Sequence, residues 1–134
     1  MFMYWDIVCA ALGSIVLGFL WYGPIFGKQW MKLMNISEKE AKKAKKKGMP
    51  AHTYVLMILS ALLTALVLKL MLVQFPFRTL DALFATAGII WVGFNVPLAL
   101  DSVLYEGKSW KLFILNSGYR LVSLLVMTYI YTLF

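Results

Sequence analysis

The chain has 134 residues, of which 62% are hydrophobic and only 14% charged, with a formal net charge of +7. Soluble domains run near a quarter charged, so this composition excludes an ordinary water-soluble domain. The positive balance does not point to nucleic acid, because eight of the thirteen Lys and Arg residues lie between Lys28 and Lys47, in one break between apolar runs.

Four runs, 7–26, 53–75, 82–100 and 112–134, are each long enough to cross a bilayer. About 20 apolar residues match a hydrocarbon core of roughly 30 Å. Backbone groups in hydrocarbon must be satisfied within the segment, which leaves helices; a barrel would need alternating strands, and none of the runs alternates. The predicted fold is an all-α membrane protein, a single domain over 1–134. Four transmembrane helices at about 4–25, 52–75, 80–104 and 109–133 form an antiparallel bundle.

The N-terminal Met1-Phe2-Met3-Tyr4-Trp5-Asp6 has no basic region, and no small-residue cleavage pattern precedes the polar loop, so helix 1 is expected to be retained. Cys9, the one cysteine, reads as a small hydrophobe within that helix. Ala10, Ser14 and Gly18 form a small-residue stripe on helix 1, and Ala61 and Ala65 do so on helix 2. Spacing alone does not say whether these faces pack internally or between copies. Four helices enclose little volume, so a conduction path would call for a homo-oligomer.

Loop 1, residues 27–50, holds a capping box, Ser37-Glu38-Lys39-Glu40, then a lysine run closed by Gly48 and Pro50. The predicted element is a short polybasic helix with its charges favourably placed on the dipole. Trp30, Met31, Leu33, Met34 and Ile36 precede it and suit the interface. Lys42, Lys43, Lys45, Lys46 and Lys47 are candidates for anionic lipid headgroups, each worth about 1 kcal/mol near a charged surface. The same lysines serve equally well as a topology anchor.

Loop 3 adds Lys108 and Lys111, whereas loop 2 has Arg78 offset by Asp81. The positive-inside rule then predicts both termini outside, with loops 1 and 3 in the cytoplasm, for a multi-pass protein of the plasma (cytoplasmic) membrane. Tyr4, Trp5, Phe75, Phe77, Tyr129, Tyr131 and Phe134 are expected in the outer aromatic belt; Trp21, Tyr22, Trp30, Tyr54, Tyr105 and Trp110 are expected in the inner one. Lys69, close to the outer end of helix 2, is expected to snorkel.

Helix 4 carries Asn116, Arg120 and Ser123 on one face, bordered by Tyr119. Arg120 falls near mid-bilayer, where an arginine costs about 2.5–3.5 kcal/mol on insertion scales and must face protein or water. On helix 3, Trp91, Asn95, Ala99 and Ser102 make the matching stripe. A hairpin turning near Gly107 brings Asn95 level with Arg120, and Asp101 within reach of a long arginine; Asp6 is a weaker candidate partner. Pro97 cannot donate to the carbonyl of Gly93, so a kink is expected there. Asn95, Asn116, Tyr119, Arg120 and Asp101, with Gly93 and Pro97, thus form a candidate midplane site of the kind broken helices give transporters. The competing reading is that these groups simply bond neighbouring helices.

Gly27-Lys28-Gln29-Trp30 and Gly107-Lys108-Ser109-Trp110 are similar tetrapeptides at cytoplasmic helix ends. They fit either a parallel repeat or shared interface chemistry. His52 is the one histidine, so a His-based metal cluster is not expected, and no phosphate loop or serine elbow is present. His52, Asp101 and Glu106 fall near the cytoplasmic surface with no nucleophile beside them. No catalytic residue, metal or cofactor is predicted.

Trp21-Tyr22-Gly23-Pro24, followed by Phe26-Gly27-Lys28 and Trp30-Met31, resembles the small membrane-protein family catalogued as domain of unknown function 1761. Trp91-Val92-Gly93-Phe94 and Asn116-Ser117-Gly118-Tyr119 fit the same resemblance, which spans nearly the whole chain. It implies a four-helix membrane domain and no particular activity. Two functions stand open: a small oligomeric transporter or channel, and a non-catalytic accessory or anionic-lipid-binding module.

Overall fold

A computed structural model describes residues 5–48, 51–74 and 79–133. Tyr4, Pro50, Phe75, Phe77, Arg78 and Phe134, placed above in belts, turns and loops, lie outside the described residues.

Helix α1 (Trp5–Leu20) runs on through a π turn, Trp21–Ile25, to the short α2 (Gly27–Leu33). The lysine helix α3 spans Glu38–Lys47, and α4 spans Ala51–Val73. Helix α5 (Leu80–Ile90), a second π turn (Trp91–Asn95) and α6 (Val96–Leu104) follow one another directly, and α7 covers Trp110–Thr132. Four helical stretches are long and apolar enough to cross a membrane: Trp5–Ile25, Ala51–Val73, Leu80–Leu104 and Trp110–Thr132. The chain is an all-helical, multi-pass membrane protein, with no strand among the described residues.

The helix starts have side-chain causes. Ser37 Oγ accepts from the Glu40 amide at 3.2 Å, Thr79 Oγ1 from the Ala82 amide at 3.3 Å, and Ser109 Oγ from the Leu112 amide at 3.2 Å. Gly48, at φ +66°, ends α3 as the sequence predicts, and its N–H donates to the Ala44 carbonyl. Lys42, Lys43, Lys46 and Lys47 stand exposed on that helix.

Both π turns are associated with a proline, Pro24 within the first and Pro97 two residues past the second. Pro24 has no N–H for the Leu20 carbonyl, and the ladder resumes when the Phe26 N–H reaches five residues back to Trp21 O at 2.8 Å. In the third span the Val96 N–H likewise reaches Trp91 O, one residue ahead of Pro97. The irregularity expected at Pro97 thus takes the form of a π turn just before it.

Helix α1 packs against α7 and α4, and α5 packs against α7. The shared core comprises Ile7, Ala10, Ala11, Ala65, Leu68, Leu72, Ala87, Leu124 and Met127. Alanines at the crossings let the backbones approach: Ala10, Ala65 and Ala87 are wholly buried. The small-residue faces of α1 and α4 are therefore spent on internal packing. The Tyr131 hydroxyl donates to the Ala65 carbonyl in the same layer.

One expectation is corrected at this end. Lys69 Nζ lies 2.7 Å from Asp6 Oδ2, on an aspartate side chain only 10% exposed. Asp6 is thereby committed to α4, not to Arg120, because α1 carries it into the interface between the two helices. Its other oxygen, Oδ1, accepts from the Ile7 amide at 2.8 Å.

The paired tetrapeptides do not take one structure. Gly27 opens α2 under the Tyr22 carbonyl, whereas Gly107 turns a loop at φ +69°.

Candidate functional site

Where the alanine-rich core stops, the polar residues begin. From Ser14 to Tyr22, α1 and the π turn after it present polar groups to α7 in antiparallel order, Ser14 at Ser123 and the Trp21-Tyr22 pair at Leu115 and Asn116. Ser14 Oγ and Ser123 Oγ share a hydrogen bond of 2.7 Å. Trp21 Nε1 donates to the Leu115 carbonyl at 3.2 Å, and the Tyr22 hydroxyl donates to Asn116 Oδ1 at 2.7 Å. The Tyr119 hydroxyl donates to the Ser14 carbonyl at 3.1 Å. Gly18 makes room for it: a Cβ there would lie 3.0 Å from that oxygen. Tyr22 and Tyr119 meet edge to face with centroids 5.3 Å apart, and Trp21 lies against Phe26 and Tyr119.

Trp21 and Tyr22, placed by sequence in an interfacial belt, are therefore turned inward. The π turn widens the helix at that point and aims both rings at α7. Trp91 does the same from the third span, donating Nε1 to the Ser117 carbonyl at 2.7 Å.

Between these helices lies a cavity of about 380 Å³. Helix α1 lines it with Ser14, Ile15, Gly18 and Phe19; the first π turn with Tyr22; α4 with Met57, Ser60, Ala61 and Thr64; the second π turn with Asn95; and α7 with Tyr119, Arg120, Ser123 and Leu124. Arg120 is near the middle of α7, about 15 Å from one helix end and about 18 Å from the other. Its Cζ lies 5.5 Å from the Tyr119 ring centroid, a cation–π placement. Arg120, Ser60 and Thr64 are exposed, so the cavity opens on the flank of the chain.

Of the residues singled out by sequence, Asn95, Tyr119 and Arg120 come to one cavity wall. Asn116 stands behind it, holding Tyr22. Asp101 is exposed, outside the lining, and forms no ion pair with Arg120 among the described residues. Gly93 is exposed, and a Cβ there would meet nothing within 4 Å. Sequence reading missed Tyr22, Ser14, Ser60 and Thr64. Ser14 and Tyr22 had a usable signal, lying eight residues apart on one face of helix 1 as Asn116 and Ser123 do, one residue closer, on helix 4.

The wall is mixed: hydroxyls, one amide and one guanidinium among apolar side chains, with no carboxylate. It can hold a polar or anionic group by hydrogen bonds in a low-dielectric setting. No group of His, Cys, Asp and Glu suited to a metal occurs among the described residues.

The chain matches the family described as "Protein of unknown function (DUF1761)" over residues 5–132, nearly its full length. No curated protein and no solved structure matches it. The Trp21-Tyr22-Gly23-Pro24 stretch that carries the resemblance is the first π turn, and Trp91-Val92-Gly93-Phe94 is the second. The chain therefore belongs to the DUF1761 family of proteins of unknown function.

Proposed function

We propose that this protein is a small transporter or channel that admits a polar solute to the cavity between its spans. The observation that carries this reading is Arg120: a guanidinium at mid-span, exposed beside Ser60 and Thr64 on a cavity wall. Hydrocarbon is a costly neighbour for such a surface, so water or a ligand must meet it. The two π turns add to the case, since such turns recur at functional sites. In this reading the chain is one four-helix antiparallel bundle in the plasma membrane, with both termini outside and the lysine loop in the cytoplasm. Copies assemble side by side through faces other than the cavity's opening, because one chain is too small to enclose a path by itself.

Reconstituted protein is expected to pass a small ion or organic solute, and Arg120→Leu is expected to abolish flux while the chain still folds. Absence of flux across a broad solute panel would remove the transport reading.

A second reading is favoured by α3, a capped helix with Lys42, Lys43, Lys46 and Lys47 exposed. Here the protein is a non-catalytic accessory module that holds anionic lipid by this helix. Replacing Lys42, Lys43, Lys45, Lys46 and Lys47 by Gln should then cut co-purifying anionic lipid severalfold; unchanged lipid would remove the loop from that role.

A further inference from the structure

The cavity wall holds one cation and no carboxylate. No acidic side chain pairs with Arg120 among the described residues. Among the described residues, the charge at mid-span thus meets only the face of Tyr119. A site of this kind favours an occupant that brings a negative charge, because a desolvated guanidinium gains most from a carboxylate or phosphate oxygen.

A second copy is the wrong cover for this face. A two-fold contact through it would set two Arg120 guanidiniums against each other, like charge on like charge in low dielectric. The rest of the wall says more about the occupant. Phe19, Met57 and Leu124 are apolar, while Ser60 and Thr64 offer hydroxyls at the open side. The opening lies on the flank of a membrane-spanning chain, where the bilayer is.

We propose that the ligand of this cavity is a single-chain amphipathic anion, entering sideways from the bilayer. It would be a carboxylate or phosphate monoester with its head on Arg120 and its chain along Phe19, Met57 and Leu124. This rests on the reading of the cavity as a ligand site and names its ligand. A free fatty acid and the headgroup of an anionic phospholipid offer the same head chemistry. The cavity's 380 Å³ favours the single chain, because it falls near the lower end of ligand pockets, which span roughly 300–1,000 Å³.

The test is thermal unfolding of the full chain in non-ionic detergent, with laurate, dodecyl phosphate, dodecanol, dodecyltrimethylammonium and acetate as probes. Laurate and dodecyl phosphate should raise the midpoint by a few degrees. Dodecanol, acetate and the cationic amphiphile should not. Arg120→Gln should lose the laurate shift, and Arg120→Lys should keep part of it. An unchanged laurate shift in Arg120→Gln overturns the proposal. Equal shifts from dodecanol or dodecyltrimethylammonium overturn it on the native chain alone, even where Arg120→Gln fails to fold. A shift from phosphatidylglycerol in mixed micelles, with none from laurate, assigns the site to a phospholipid and overturns the single-chain ligand. Flux is scored separately: laurate binding without any transport supports this ligand and removes the transporter, whereas solute flux without laurate binding does the reverse.

Discussion

Trp21 and Trp91 occupy equivalent places in two different spans. Each opens a five-residue π turn, each is followed two residues later by glycine, and each donates its indole N–H to a carbonyl of α7, at Leu115 and Ser117. The two rings pin the irregular turns of the first and third spans to neighbouring points on the fourth. Asn95, the last residue of the second turn, reaches the cavity wall; Tyr22 does so from the first.

Trp91→Phe keeps most of the apolar ring and removes the donor to Ser117 O. The expected cost is about 1 kcal/mol, the usual net worth of such a bond. Trp21→Phe should cost no more, since its bond is the longer of the two. Thermal unfolding in detergent checks both, and a smaller loss for Trp91→Phe than for Trp21→Phe would contradict the ranking.

The Asp6–Lys69 pair joins the start of α1 to α4. Lys69→Met leaves a nearly buried carboxylate whose one other partner among the described residues is the Ile7 amide at Oδ1, and should cost about 3 kcal/mol, the scale for breaking a buried pair from one side. The double variant Asp6→Asn with Lys69→Met should recover much of that loss. A double variant as unstable as Lys69→Met alone would show that the pair is not what sets the cost.

Glycines divide sharply by what lies above them. A Cβ on Gly27 would sit 2.8 Å from the Tyr22 carbonyl, a backbone atom with no easy retreat, so Gly27→Ala should cost about 1–3 kcal/mol. Gly18→Ala should displace the Tyr119 hydroxyl and weaken its bond to the Ser14 carbonyl. Gly93→Ala meets nothing and should be neutral or gain up to about 1 kcal/mol of helix propensity. The order of midpoints, with Gly27→Ala lowest and Gly93→Ala highest, is the measurement.

Ser14 and Ser123 satisfy each other in a buried contact. Removing one hydroxyl strands the other, so each single alanine variant should lose about 1–2 kcal/mol, while the double alanine variant should lose less than the two losses added. Strict additivity in a double-mutant cycle would contradict the coupling.

The proposed orientation is open to labelling, because Cys9 is the one cysteine to replace. In a Cys9→Ser background, Lys43→Cys should react with a membrane-impermeant maleimide only after the membrane is opened. Asp81→Cys should react in intact cells. The reverse pattern would invert the topology.

The residues alone made the helical class, the four long apolar stretches and most of their ends legible. Predicted limits of 4–25, 52–75, 80–104 and 109–133 compare with Trp5–Ile25, Ala51–Val73, Leu80–Leu104 and Trp110–Thr132. They could do so because these features are local: hydropathy is a sum over about 20 neighbouring residues, and caps such as Ser37 act within one turn. They also marked Asn95, Tyr119 and Arg120, since a polar group in an apolar run is conspicuous. Which groups meet was set by the packing of the helices and was not legible before it. Asp6 goes to Lys69, Tyr22 to Asn116, Ser14 to Ser123 and both indoles to α7, whereas Asp101 stays outside. A membrane-spanning helix is apolar nearly all round, so no amphipathic stripe in the sequence reveals its rotation. That rotation, set by alanine contacts and two π turns, is what aims Tyr22 inward and leaves Arg120 on the open wall of the cavity.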